Sequence, residues 1–286
     1  MYKRRYYFLI LIILLPLTPL KAQTLNSSGM LGNEQVFHAM NKQVNEFVRR
    51  FNMEEAPKGT SLAKTDRRYH NRSLRRKILP YLFNRSNPRT NGKLQKYFIE
   101  DVTNKKHPVY LNFKDKNWYA EVSATFKNDD DDTVNLILFL TVQQDSLGYK
   151  WIISNVYDAD LHQLFPIENK KDQMKYFLHP QSHEIDFMDL HKAFDDPKHI
   201  EYYASTNYRP DYLTLFFYLM KTGVLKFVTI NSVKFYFFQI PNWYFELKYF
   251  NRNTDNSGWL ISNLKYISNK NKAQVLRYFN SCSTKK

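Results

Sequence analysis

A five-residue strand recurs in this chain: Trp151-Ile152-Ile153-Ser154-Asn155 returns as Trp259-Leu260-Ile261-Ser262-Asn263. Both copies follow a polar turn, 145–148 in the first case and 251–258 in the second, and both turns follow a long β-prone run. Repetition of a strand together with its approach constrains the chain to a sheet-containing fold of two comparable halves. Alternation and turn residues place strands at Val109–Phe113, Trp118–Phe126, Thr133–Gln143 and Tyr149–Tyr157 in the first half. In the second they fall at Val224–Ile230, Val233–Ile240, Trp243–Phe250 and Trp259–Ile267. Asn117-Trp118-Tyr119 also recurs, as Asn242-Trp243-Tyr244, but aligning the longer motif sets Asn135 opposite Asn242 and Trp243. The two tripeptides therefore belong to different strands, and their match is expected to carry no structure.

Each strand set follows helical sequence. Val36, Phe37, Met40, Val44, Phe47, Val48 and Phe51 give 33–52 an amphipathic period. The second half has Phe187–Phe194 and then Pro210–Lys221, with Pro210 expected at the first helical position. Lys272–Phe279 closes the chain. Helices followed by hairpin-linked strands make an α+β plan. This order, with the repeated Trp-x-Ile-Ser-Asn strand, resembles the nuclear transport factor 2-like (cystatin-like) superfamily in tandem. The resemblance implies two cones, each with helices and a curved four-stranded antiparallel sheet. The halves would span 23–157 and 183–286 with a linker at 158–182. That superfamily includes isomerases, dehydratases and noncatalytic binding modules, and a fold does not choose among them.

The first 22 residues read as a secretory signal: Lys3, Arg4 and Arg5, then unbroken hydrocarbon from Phe8 to Leu15, then Pro16 and Pro19 before Ala22. A hydrophobic run this short falls below the roughly 20 residues a spanning helix needs. Cleavage after Ala22 leaves an N-terminal Gln, which resembles exported proteins of Bacteroidetes-type bacteria. The expected location is the periplasm or the outer cell surface, with no transmembrane segment in the mature chain. The single cysteine, Cys282, provides neither a disulfide framework nor a thiolate metal cluster. Seven glycines against 22 Phe and 21 Tyr disfavour a glycine-rich nucleotide-binding fold and suit packed sheet surfaces.

The formal charge of +15 is concentrated. The leader removes Lys3, Arg4, Arg5 and Lys21, and segment 57–96 holds twelve cations against one acid, Asp66. That segment therefore accounts for the whole remaining excess. Asp66 is expected to cap a helix running to about Leu79, with Leu74, Ile78 and Leu82 as its buried stripe. Arg67, Arg68, Arg72, Arg75, Arg76 and Lys77 would then fan outward as a basic docking face. Such a face attracts anions over about 8–10 Å at physiological salt. The partners it fits are an anionic envelope component, such as lipopolysaccharide phosphate or an acidic glycan, or a protein. Export disfavours nucleic acid.

Catalytic constellations are faint. Glu121 and Glu246 stand on the polar sides of their strands, where period two separates Trp118, Ala120 and Val122 from Tyr119, Glu121 and Ser123. Both are expected to be solvated. His179, His183, His191 and His199 lack the spacing of a helical zinc site, and Asp129–Asp132 lacks the glycine and closing glutamate of a calcium loop. Asn251, Asn253 and Asp255 read as a polar turn. No metal or cofactor is expected. Phe235, Tyr236, Phe237, Phe238, Tyr244 and Phe250 make second-half strands apolar on both faces, so the halves are expected to pack partly through their sheets. The leading expectation is a noncatalytic binding protein; the alternative is a small-ligand carrier or isomerase-like enzyme with its site inside one cone.

Overall fold

The computed structural model describes residues 44–56, 59–165, 194–195, 197–205 and 208–280. The signal segment, the start of the first helix, the expected helix Phe187–Phe194 up to its last residue, His179, His183, His191 and Cys282 lie outside the described residues. Six strands carry the fold: β1 (Trp118–Lys127), β2 (Thr133–Asp145), β3 (Gly148–Tyr157), β4 (Lys226–Phe237), β5 (Trp243–Phe250) and β6 (Gly258–Tyr266). They form one antiparallel sheet in the order β3-β2-β1-β4-β5-β6.

The α+β class stands, but two four-stranded cones give way to this single sheet. The two strand sets meet edge to edge, β1 against β4 from Trp118↔Phe237 to Lys127↔Lys226, and not face to face. Two expected strands, 224–230 and 233–240, are one strand with a bulge at Asn231. Residues 109–113 form no strand. The buried Asn52 side chain holds them instead, donating to Leu111 O (2.7 Å) and accepting from Leu111 N (2.8 Å).

The repeated motif has a structural meaning. Ser154 is the extra residue of a bulge between Phe139↔Asn155 and Leu140↔Ile153, and Ser262 is the extra residue between Glu246↔Asn263 and Leu247↔Ile261. Each bulged serine sets its hydroxyl against a carbonyl of the neighbouring strand, Ser154 Oγ at 3.1 Å from Phe139 O and Ser262 Oγ at 3.2 Å from Glu246 O. A bulge shifts the side-chain alternation by one. Trp151, Ile153 and Val156 therefore share a face, as do Trp259, Ile261 and Leu264. The tripeptide match also carries local structure. Asn117 and Asn242 both adopt positive φ (67° and 59°), a conformation asparagine tolerates, and both deliver a fully buried tryptophan to the same sheet face.

That first face is covered by helix α1 (residues 44–52), helix α3 (Lys93–Val102) and helix α5 (Tyr212–Thr222). Val44, Phe47, Val48 and Phe51 put one stripe of α1 against Phe237 and Phe245, while Phe98 of α3 packs edge-on to Trp243. Helix α5 starts two residues later than expected. Pro210 precedes the cap, and Asp211 accepts from Leu213 N and Thr214 N. Gly223, at φ +80°, ends α5 in the left-handed conformation.

The second face meets the last helix, α6 (Asn269–Phe279), whose Val275, Leu276 and Phe279 lie on Tyr119, Phe139, Tyr236 and Phe238. Helix α6 leaves β6 and ends at β3 on the opposite edge. There Ser154 Oγ donates to Phe279 O (2.6 Å) and Asn155 Nδ2 to Tyr278 O (2.9 Å). These bonds satisfy carbonyls that a helix end leaves open. No helix among the described residues is long and apolar enough to cross a membrane.

Candidate basic docking surface

The basic segment folds differently from its expected single helix. Residues 64–70 form turns, in which the Asp66 carboxylate accepts from the Arg68 guanidinium (2.6 and 3.0 Å) and from Arg68 N (2.9 Å). The arginine bonds hold Asp66 down at about 2. His70 takes positive φ, and Asn71 then caps helix α2 (Arg72–Ile78) by accepting from Leu74 N. Arg75, Arg76 and Lys77 occupy its last turn, where cations complement the helix dipole.

Arg75 does not belong to the outward fan: it is 1% exposed. Its guanidinium donates to Phe51 O (3.1 Å), Val102 O (3.1 Å) and Val109 O (2.7 Å), and lies over the rings of Tyr110 and Phe51. Burial pulls its pKa down, against the neighbouring Tyr110 and Glu54. Of the expected stripe Leu74, Ile78 and Leu82, only Leu82 reaches the main core. Arg75, Leu79 and Leu82 face the core at i, i+4 and i+7, while Leu74 and Ile78 pack on a satellite cluster of Met53, Ala56 and Leu62.

What Arg75 does is close a loop. Val102 O accepts from Arg75 and from Val109 N (3.1 Å), so residues 103–108 emerge from a pinched base. Asn104 Oδ1 accepts from Lys106 N and His107 N in a turn where Lys105, Lys106 and His107 are exposed. Arg72 Nε donates to Thr103 O (2.6 Å) and sets the exposed row of α2 beside this loop. The surface therefore combines Arg72, Arg76 and Lys77 with Lys105 and Lys106, and none of them has an ion-pair partner among the described residues. Arg67 is exposed next to the neutralised Arg68–Asp66 pair. The basic surface extends beyond the 57–96 segment. The adjacent Lys105-Lys106-His107 run was the available signal for the rest.

The two glutamates occupy the second face of the sheet as expected, but they are not solvated. Glu121 accepts from Lys234 Nζ (2.8 Å) and from Tyr236 Oη (2.8 Å). Glu246, 8% exposed, accepts from Lys248 Nζ (2.9 Å) and Ser262 Oγ (3.0 Å). Burial first, then the Glu121 hydrogen bond and the Glu246 charge, pushes the Tyr236 phenol far above the usual tyrosine range. Each carboxylate is satisfied by a cation and a hydroxyl, the arrangement of a buried polar seam.

The other sequence candidates are structural. Lys127 pairs with Asp131 at the β1–β2 turn (2.7 Å). In the 251–258 turn, Asn256 donates to Phe83 O (2.8 Å) and accepts from Arg85 N, anchoring residues 83–85 along the β6 edge. No group of three His, Cys, Asp or Glu among the described residues has the spacing to hold a metal. Between the sheet and helices α1 and α3 pack the buried rings of Phe51, Phe98, Trp118, Phe237, Trp243 and Phe245. No family model, curated protein or solved structure matches the chain.

Proposed function

We propose that the chain is an exported, noncatalytic binding protein that docks an anionic envelope component through helix α2 and the 103–108 loop. The observation that carries this reading is the set of five exposed cations, Arg72, Arg76, Lys77, Lys105 and Lys106, without acid partners among the described residues. Arg75 underlies them as a buried clamp, so the charges stand on a preorganised base rather than on a loose loop. The same reading takes the two halves as related, supported by the matched serine bulges on β3 and β6.

The test is sedimentation of the mature chain with vesicles containing phosphatidylglycerol, at about 50 and about 500 mM NaCl. Binding lost at high salt, and lost at low salt in the R76E/K105E/K106E variant with unchanged thermal unfolding, is the expected outcome. Equal binding by the variant and the parent chain overturns the reading.

A further inference from the structure

Helix α6 covers only one end of the second sheet face. Beyond its C-terminus, β2, β3 and the start of helix α4 (Ala159–Leu164) border an open groove of about 310 Å³. Thr133, Val134, Asn135, Ile137, Tyr157 and Asp158 line it. Two of these features are built with care. Tyr157 is 44% exposed, and its ring rests on His162 of α4 (centroids 4.8 Å apart), which itself packs on Tyr212 of α5 (4.1 Å). The aromatic surface at the groove thus has a fixed backing.

Asn135 belongs to a triad that crosses three strands. Thr125 Oγ1 donates to Asn135 Oδ1 (2.7 Å) and accepts from Asn231 Nδ2 (2.9 Å), which also approaches Asn135 Oδ1 (3.3 Å). Asn231 is the extra residue of the β1–β4 bulge, a device that re-aims a side chain. The triad occupies the Asn135 carbonyl oxygen and leaves the two donors of its amide nitrogen out of it, on a residue that lines the groove.

We propose that this groove binds one ring of a neutral saccharide. A sugar ring presents a C–H face and a rim of hydroxyls that both donate and accept. An aromatic side chain takes the first, and amides and hydroxyls take the second. The volume matches the lower end of small-ligand sites, roughly 300 Å³. No Lys, Arg or His is among the described lining residues while Asp158 is, so the groove does not favour an anion. An open site of this kind binds with a Kd on the order of 1 mM.

Titration of the ¹⁵N-labelled mature chain with maltose, cellobiose, lactose and N,N′-diacetylchitobiose tests this. At least one probe should give saturable shifts at residues 125, 135, 157 and 231, with the same Kd at about 50 and about 500 mM NaCl. Asn135→Ala and Tyr157→Ala should each weaken it about tenfold or more, and Tyr157→Phe should retain it because the ring remains. The proposal fails if no probe saturates by about 20 mM. It also fails if Asn135→Ala, with unchanged thermal unfolding, binds like the parent chain, or if high salt abolishes binding.

Discussion

The two faces of the sheet share one backbone and live in different surroundings. Along β1, Trp118, Ala120, Val122, Ala124 and Phe126 are all buried against helices, while Tyr119, Glu121, Ser123 and Thr125 alternate with them onto the other side. The first face is aromatic and continuous, with Phe237 stacked on Phe245 at 5.0 Å and Trp118 stacked on Phe237 at 5.2 Å. The second changes character from end to end: aromatic under α6, then the glutamate–lysine seam, then exposed amides and hydroxyls. Dispersion and water exclusion are non-directional, so the first face fixes the fold without specifying chemistry. On the second face every enclosed polar atom needs a partner, and each partner sets a direction. Directed groups are therefore gathered on the face that contributes less to folding.

Truncation on the first face should have the largest effect. Phe245→Ala removes a fully buried ring in contact with Phe47, Phe51, Phe98 and Phe237. Denaturant unfolding should show a loss of about 3–5 kcal/mol. Phe279→Ala strips the ring that joins α6 to Tyr119, Phe139, Tyr236 and Phe238 and should cost less, about 2–3 kcal/mol. Equal losses would erase the distinction between a core face and a covered face.

The split between the faces was legible in the sequence, because period two separates Trp118 from Tyr119 wherever the strand begins. Strand β5 was read at its observed bounds, and β1, β2, β3 and β6 within a residue or two. The joining of the strands into one sheet was not legible. The β1–β4 ladder links residues that are far apart in the chain, from Trp118↔Phe237 to Lys127↔Lys226, and no local pattern records such a pairing. Glu121 and Glu246 stand on the expected face in an unexpected environment, since polarity on a strand does not reveal their pairing with Lys234 and Lys248. Arg75 was misplaced for a related reason. An arginine at a core position is stable only because three backbone carbonyls from separate segments converge on it, and none of them is adjacent in sequence. On the candidate surface, charge density was readable, while the clamp beneath it was not.

The seam itself should respond to pH. Tyr236 stays protonated in the folded chain well above the range in which an unfolded tyrosine ionises, near 10. The unfolded state then binds fewer protons than the folded state, so this contribution is whole below pH 10 and declines as pH rises beyond it. Tyr236→Phe should cost about 1–2 kcal/mol at neutral pH, by removing the hydrogen bond to Glu121, and should flatten the alkaline decline. Absorbance titration of tyrosinate alongside thermal unfolding measures both. A decline of equal slope in the variant would place the alkaline sensitivity in another group.

The open end of the second face should be the least sensitive part of the molecule. Asn135 and Asn231 are exposed, and their mutual hydrogen bonds compete with water at no burial cost. Surface polar substitutions of this type usually stay within about 0.5 kcal/mol, so Asn135→Ala and Asn231→Ala should leave the unfolding midpoint nearly unchanged. A triad conserving stability would respond otherwise: breaking one member would strand the other two and give a loss of about 1 kcal/mol or more, with coupling between the single variants. Differential scanning of the two variants and their double mutant separates these cases. A negligible, additive change means that the bulge at Asn231 orients the amides toward solvent without securing the sheet, the condition a ligand-facing group has to meet.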